Sequence, residues 1–357
     1  MRIAAIVAAA GALTAVTVVN AGSTTINLTR EVPDLDRWNY PFNATPGVRE
    51  TATSFAAFGV DFLDDHDAQF LLGFLTDQSS ADGVGVVPSG LGEARYVVNA
   101  AQVTVTIAIG GVFDYDPTYD ALGTYLDPAD PEFVADSDAG RPIMIFGTGY
   151  RNGFGIAPPF MPFLETTPFS FANPAMERVR NAFASDYENG LPRDISNSVL
   201  DRLEIDPFAI GVISSGGAEL PAGASVPAES TVTFDLDVND PDVQSFLARS
   251  LDAGNLQLSI TSLHAASGGP GGGDGVTYPA YFTKEDPLAP AFGQAPQLSL
   301  DVTVLPENPA DLDGDGVVGA SDLALLIGQW GQVGTSADFA GDGVGADDLA
   351  FLIGAWG

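Results

Sequence analysis

Val232-Thr233-Phe234-Asp235-Leu236-Asp237-Val238 alternates apolar with polar residues, and Leu256-Gln257-Leu258-Ser259-Ile260 and Leu298-Ser299-Leu300-Asp301-Val302 do the same. Successive strand side chains point to opposite faces, so a period of two predicts sheets with one buried and one wet face. The more continuous apolar runs 69–75, 101–107 and 143–146 also read as strands. The 41 Gly and 25 Pro of the 357 residues follow no collagen period and supply turns between short strands. A mostly β body of two packed sheets is expected. One helix is predicted to interrupt it, with Asn173 as N-cap, Pro174 at the first position, Met176, Val179, Phe183 and Tyr187 on one stripe, and Gly190 as the stop.

Asp and Glu number 47 against 13 Lys and Arg, and Lys284 is the only lysine, so the formal charge is −34. Nucleic acid is not an expected partner, because phosphate binding draws on clustered basic residues. The same excess of carboxylates suits divalent cations. Met1-Arg2, the apolar run from Ile3 to Val19 and the small residue Ala21 read as a secretory signal over 1–21. An uncleaved anchor is the alternative, since the run nears the lower limit of about 17 residues for a span. The expected location is secreted, extracellular or at the cell surface, with no membrane span after signal removal. There is no Cys to form a disulfide, which leaves metal ions as the supplementary staple.

The chain closes on a repeat. Asp311-Leu312-Asp313-Gly314-Asp315-Gly316-Val317-Val318-Gly319-Ala320-Ser321-Asp322 leads into Leu323-Ala324-Leu325-Leu326-Ile327, and Asp338-Phe339-Ala340-Gly341-Asp342-Gly343-Val344-Gly345-Ala346-Asp347-Asp348 leads into Leu349-Ala350-Phe351-Leu352-Ile353. The first copy carries carboxylates at the first, third, fifth and twelfth positions of a calcium loop: Asp311, Asp313, Asp315 and Asp322. Gly316 permits the sharp turn, Val317 offers its carbonyl and Val318 packs inward. The second copy has Ala340 in place of a ligand and is one residue shorter. That leaves Asp338, Asp342 and Asp348 as a weaker set. Leu323, Leu326 and Ile327, and their counterparts Leu349, Leu352 and Ile353, recur at helical spacing and are the expected partner-binding residues.

A duplicated calcium loop with only its exiting helix resembles a type I dockerin over 310–357. The resemblance implies calcium as cofactor and docking onto a cohesin-like receptor or another extracellular protein. Both helices depart from the family in having no Lys or Arg. The order of segments in the body resembles the DNRLRE-type jelly roll of secreted bacterial proteins, carried by 70–75, 101–107, 234–247, 296–302 and the turn Tyr281-Phe282-Thr283-Lys284-Glu285. Relative to that family 111–228 is an insertion, and polysaccharide becomes a further candidate partner.

Other clusters bear on chemistry. Asp114, Asp116, Asp120, Asp127, Asp130, Asp136 and Asp138 read as a solvated acidic loop, with a calcium loop or a sugar-facing surface as the rival readings. Asp61, Asp64, Asp65 and Asp67 around His66 read as a strand-edge turn, and His264 is the only other histidine. Ile213-Ser214-Ser215-Gly216-Gly217 lacks a nucleophile elbow, and the glycine-rich 267–275 lacks a phosphate-loop lysine. Trp38 and Tyr150, with Tyr40, Phe154 and Phe160, are candidates for a sugar-stacking platform.

The expected organisation is a signal (1–21), a jelly-roll-like β-sandwich with one inserted helix (22–305), a linker (306–309) and a small α-helical calcium module (310–357). The expected function is noncatalytic adhesion or scaffolding in an extracellular assembly. A glycoside hydrolase using paired carboxylates and a structural surface-matrix protein are the alternatives.

Overall fold

Val232 and Phe234 point inward from Thr231–Asp235 and Asp235 points to solvent, as the alternation requires. The computed structural model that shows this describes residues 23–59, 63–170, 180–266, 276–305, 307–339 and 343–357. The chain is mostly β with few helices. Thr231–Asp235 lies in an antiparallel sheet of spatial order Ala218–Glu219, Val212–Ser215, Thr231–Asp235, Tyr96–Thr106, Gln297–Val304, Thr24–Arg30 and Gly83–Val84. A second antiparallel sheet runs Leu191–Asp194, Ala182–Glu188, Ile143–Tyr150, Asn255–Ser262, Gln69–Leu75 and Leu35–Asn39, with Ala209–Ile210 also pairing to Ile143–Tyr150. Leu28, Val103, Phe234 and Leu300 from the first sheet meet Phe70, Leu72, Ile145 and Leu258 from the second in one core, the arrangement of a β-sandwich. Each such side chain contributes about 1.5–3 kcal/mol by leaving water, which holds together a fold without disulfides.

The second sheet departs from the expectation of one wet face, since Asn255–Ser262 is buried on both sides. Leu256, Leu258 and Ile260 enter the core. The polar residues between them form a buried hydrogen-bonded row, in which Tyr150 Oη donates to Gln257 Oε1, Ser259 Oγ lies 2.8 Å from Thr148 Oγ1, and Thr261 Oγ1 lies 2.6 Å from His66 Nδ1. Alternation thus reports a polar face, and the segments packed over that face decide whether it is wet.

Residues 182–188, assigned in sequence to the second half of a helix, form the strand Ala182–Glu188; 171–179 lie outside the described residues, as do 1–21. Phe183 and Tyr187 share a face in either conformation. The strand prevails because its partner carries Gly147 and Gly149, whose missing side chains leave room for the Tyr187 and Phe183 rings. Among the described residues the α-helix of the body lies at Pro241–Asp252, where the Asp240 side chain accepts from the Asp242 and Val243 amides and Pro241 occupies the first turn. Val243, Phe246, Leu247 and Leu251 bury its apolar stripe. Its Gln244 accepts from the Val98 amide at 2.8 Å and donates to the Val98 carbonyl at 2.9 Å, covering a stretch of Tyr96–Thr106 beyond its pairing with Thr231–Asp235.

Nor is 111–228 an appendage, because its strands pair within both sheets. Three of the scarce arginines serve the interior: Arg30, Arg37 and Arg180 are the largest fully buried side chains among the described residues. Arg37 donates from one nitrogen to the Leu164, Glu165 and Thr167 carbonyls, and burial lowers its guanidinium to about 10. Among the described residues no helix is long and apolar enough to cross a membrane.

Candidate metal centre

In the C-terminal module the helices Ala320–Gly328 and Ala346–Gly354 pack around Ala310, Val318, Leu326, Ala337, Val344 and Leu352. The corresponding Val318 and Val344 of the two loops, and Leu326 and Leu352 of the two helices, meet in that core, so the duplication in sequence is a duplication in packing. Helices this short are marginal alone in water, and each depends on the other's apolar face.

Asp311, Asp313 and Asp315 bring one carboxylate oxygen each to within 4.8 Å of one another. Backbone amides hold them there: Gly314 and Gly316 donate to Asp311 at 2.9 and 2.8 Å, Asp315 to Asp313 at 3.1 Å, and Val317 to Asp315 at 2.9 Å. Gly316 is required twice over. Its φ is +88°, and a Cβ there would fall 1.9 Å from the Ala94 Cβ of the body. An all-oxygen anionic set of this kind suits a hard divalent cation.

Asp322 stands apart from the three that converge. Its Oδ1 accepts from Leu312 and Asp313 at 2.7 and 3.1 Å, and its Oδ2 from Gly319 at 2.7 Å. Burial acts to raise its carboxyl, but the amides outweigh it and hold the group below the usual carboxylate range. In the second loop Asp348 does the same for the Phe339 and Gly345 amides, while Asp338 accepts from Gly334 and Gly343. Asp342 lies outside the described residues. Val317 is exposed at the rim of the first loop.

The expected partner-binding set divides. Leu326 and Leu352 are fully buried and cannot meet a partner, and Leu323 and Leu349 are half-buried against the same core. Ile327 and Ile353 point outward, together with Leu325, Phe351, Trp330 and Trp356. Helical spacing located the apolar stripe, but the twin helix takes its centre and leaves its flank to solvent.

In the body, Trp38 and Tyr150 do not form one platform. Trp38 packs towards the sandwich core, stacked on Tyr40 at 4.7 Å between ring centres, whereas Tyr150 stands on the opposite face of its sheet. Tyr150, Phe154 and Phe160 line a groove of about 510 Å³ with Tyr187, Phe246 and Arg249. Lys284, the single lysine, sits among Asp36, Glu165 and Glu285, with an ion pair to Glu165 and its Nζ 3.4 Å from Asp36 Oδ1. Burial raises both the Asp36 and Glu285 carboxyls there.

His66 lies in the turn just before the strand Gln69–Leu75, as expected, but that turn is closed off from water. It is fully buried, with Nε2 3.1 Å from Ser198 Oγ and Nδ1 on Thr261, so no carboxylate orients a serine–histidine pair. His264 is buried with neither ring nitrogen hydrogen-bonded, edge-on to Phe113. Burial lowers both imidazoles to about 3. The folded pKa thus lies below the unfolded 6.5, so the stabilising contribution is present above 6.5 and is lost as pH falls towards 3. A His264→Leu chain is expected to lose about 3 kcal/mol less than the parent between about pH 7 and pH 4, measured by urea unfolding. Equal losses in the two chains would remove His264 from the acid limb.

Asp116 and Asp120 are also buried rather than solvated, and with Asp138 they form a second trio whose oxygens lie within 4.8 Å of one another. No signal in the sequence separates these three from the other acidic residues of 114–138.

Fold and site define a mostly β protein whose C-terminal pair of loops and helices presents an acidic cluster able to hold a metal ion. Beyond that class, comparison with protein-family models, curated proteins and solved structures finds no match.

Proposed function

We propose that this is a secreted, noncatalytic adhesion or scaffolding protein that attaches to an extracellular assembly through a calcium-dependent, dockerin-like module at 310–357. The observation that carries the reading is the convergence of Asp311, Asp313 and Asp315 in the loop that leads into the first of two equivalent helices, which expose Leu325, Ile327, Phe351 and Ile353. Calcium would rigidify the loop and the helix after it, and the exposed apolar flank would then be the docking face. Carbohydrate is the proposed ligand of the body, taken in the groove lined by Tyr150, Phe154 and Phe160, where Phe160 is exposed and offers a stacking face beside the half-buried Tyr150 and Phe154.

The test is retention of the purified full chain on cell-surface material of the producing cell, with calcium and with a chelator. Retention is expected to require calcium and to fall about tenfold or more when Ile327 and Ile353 are both replaced by Asp, since a charge cannot enter a desolvated contact. Retention indifferent to the chelator rejects the module's role. For the body, binding to insoluble polysaccharide should weaken in Tyr150→Ala or Phe160→Ala. Release of reducing sugar by the parent would replace this reading with the glycoside hydrolase.

A further inference from the structure

We propose that the body carries its own calcium site, formed by Asp116, Asp120 and Asp138 and independent of the C-terminal module. Asp116 is 2 % exposed. Its Oδ1 takes hydrogen bonds from the Thr118 amide and hydroxyl, at 2.8 and 2.7 Å, while its Oδ2 is sealed from solvent and has no hydrogen-bond partner. A buried carboxylate oxygen without a donor is costly unless a cation answers it. Asp120, itself buried, receives Arg141 at 2.7 Å and Tyr125 Oη at 3.1 Å on Oδ2, which orients the carboxylate and leaves Oδ1 for an ion. Asp138 completes the trio, and its Oδ2 lies 3.0 Å from Thr118 Oγ1, whose single hydrogen Asp116 and Asp138 share.

Two close approaches bring the ligand-bearing segments together. Gly140, at φ +105°, passes so near that a Cβ would lie 2.6 Å from the Asp114 carbonyl oxygen. Arg141 also bridges Asp120 to Asp136 at 2.7 Å, fixing the second segment against the first. The donors are oxygens from three carboxylates, with no His or Cys among them, which selects a hard cation. Calcium fits such an irregular set better than magnesium, because it tolerates uneven geometry and fills its six to eight positions with water.

The experiment uses the full chain with Asp311, Asp313, Asp315, Asp338 and Asp342 all changed to Asn, so that both C-terminal loops are silent whether or not they bind calcium in the parent. Calorimetric titration with CaCl₂ is expected to find one equivalent bound. Adding Asp138→Asn, at an exposed position, should weaken that binding at least about tenfold, and Asp116→Asn should abolish it. If Asp116→Asn does not fold, Asp138→Asn carries the decision. No binding by the loop-silenced chain overturns the proposal, and so does an affinity that Asp138→Asn leaves unchanged.

Discussion

An Arg180→Met chain is expected to unfold at a far lower urea concentration than the parent, with a loss of about 3–5 kcal/mol. Arg180 is fully buried and ties three segments together. Its Nε donates to Asp64 Oδ2 at 2.7 Å, one terminal nitrogen to the Asp67 carbonyl at 2.7 Å and the other to the Asn39 carbonyl at 3.2 Å, with the guanidinium over the Phe169 ring. Asp64 and Asp67 are themselves buried, so methionine would strand two carboxylates away from water. Burial already raises Asp67 to about 6 against the pull of Arg180. Its folded pKa lies above the unfolded value, so its contribution is present below the unfolded pKa and lost as pH rises through 6. Without the arginine that penalty grows. The deficit of the variant should therefore shrink between about pH 7 and pH 5, and adding Asp64→Asn should recover part of it. A deficit independent of pH would mean that lost packing, and not stranded charge, is what Arg180→Met exposes.

The second large effect concerns the C-terminal module. Calcium at a hundred times its Kd would stabilise the bound fold by about 2.7 kcal/mol. A unit of this size shifts by several degrees per kcal/mol, so its melting transition should rise by about 10 °C or more, while a chelator should melt it and leave the sandwich folded. Circular dichroism at helical wavelengths reads the module, and near-ultraviolet signals from the buried tyrosines read the body. Asp315→Ala should cost more calcium affinity than Asp342→Ala, because only the first loop has an acidic residue at its third position. A helical melting profile identical with and without chelator would sink the calcium reading, and equal losses from the two substitutions would overturn the ranking of the loops.

Legibility followed the range of the interactions. The strands were readable because Val232, Phe234, Leu256, Leu258, Ile260, Leu298 and Leu300 enter the core through a local, period-two property of the chain. The two C-terminal helices and the position of Asp311, Asp313 and Asp315 were readable for a similar reason, since this loop positions its own carboxylates through bonds between near neighbours. The strand at Ala182–Glu188 was not readable, because Phe183 and Tyr187 suit either period and the choice was made by glycines on another strand.

By itself, then, the sequence determined the mostly β class, the duplicated loop and helix, and the acidic surface, all set by neighbours in the chain. Tertiary structure alone decided which polar residues are interior. Gln257, Ser259 and Thr261 look like a wet face until Tyr150, Thr148 and His66 cover them. It also decided that Leu326 and Leu352 belong to the module's core while Ile327 and Ile353 remain outside, and that Asp116, Asp120 and Asp138 converge out of a run of similar aspartates. The reason is physical: the cost of burying a polar or charged group depends on what packs against it, and those partners lie tens to hundreds of residues away along the chain.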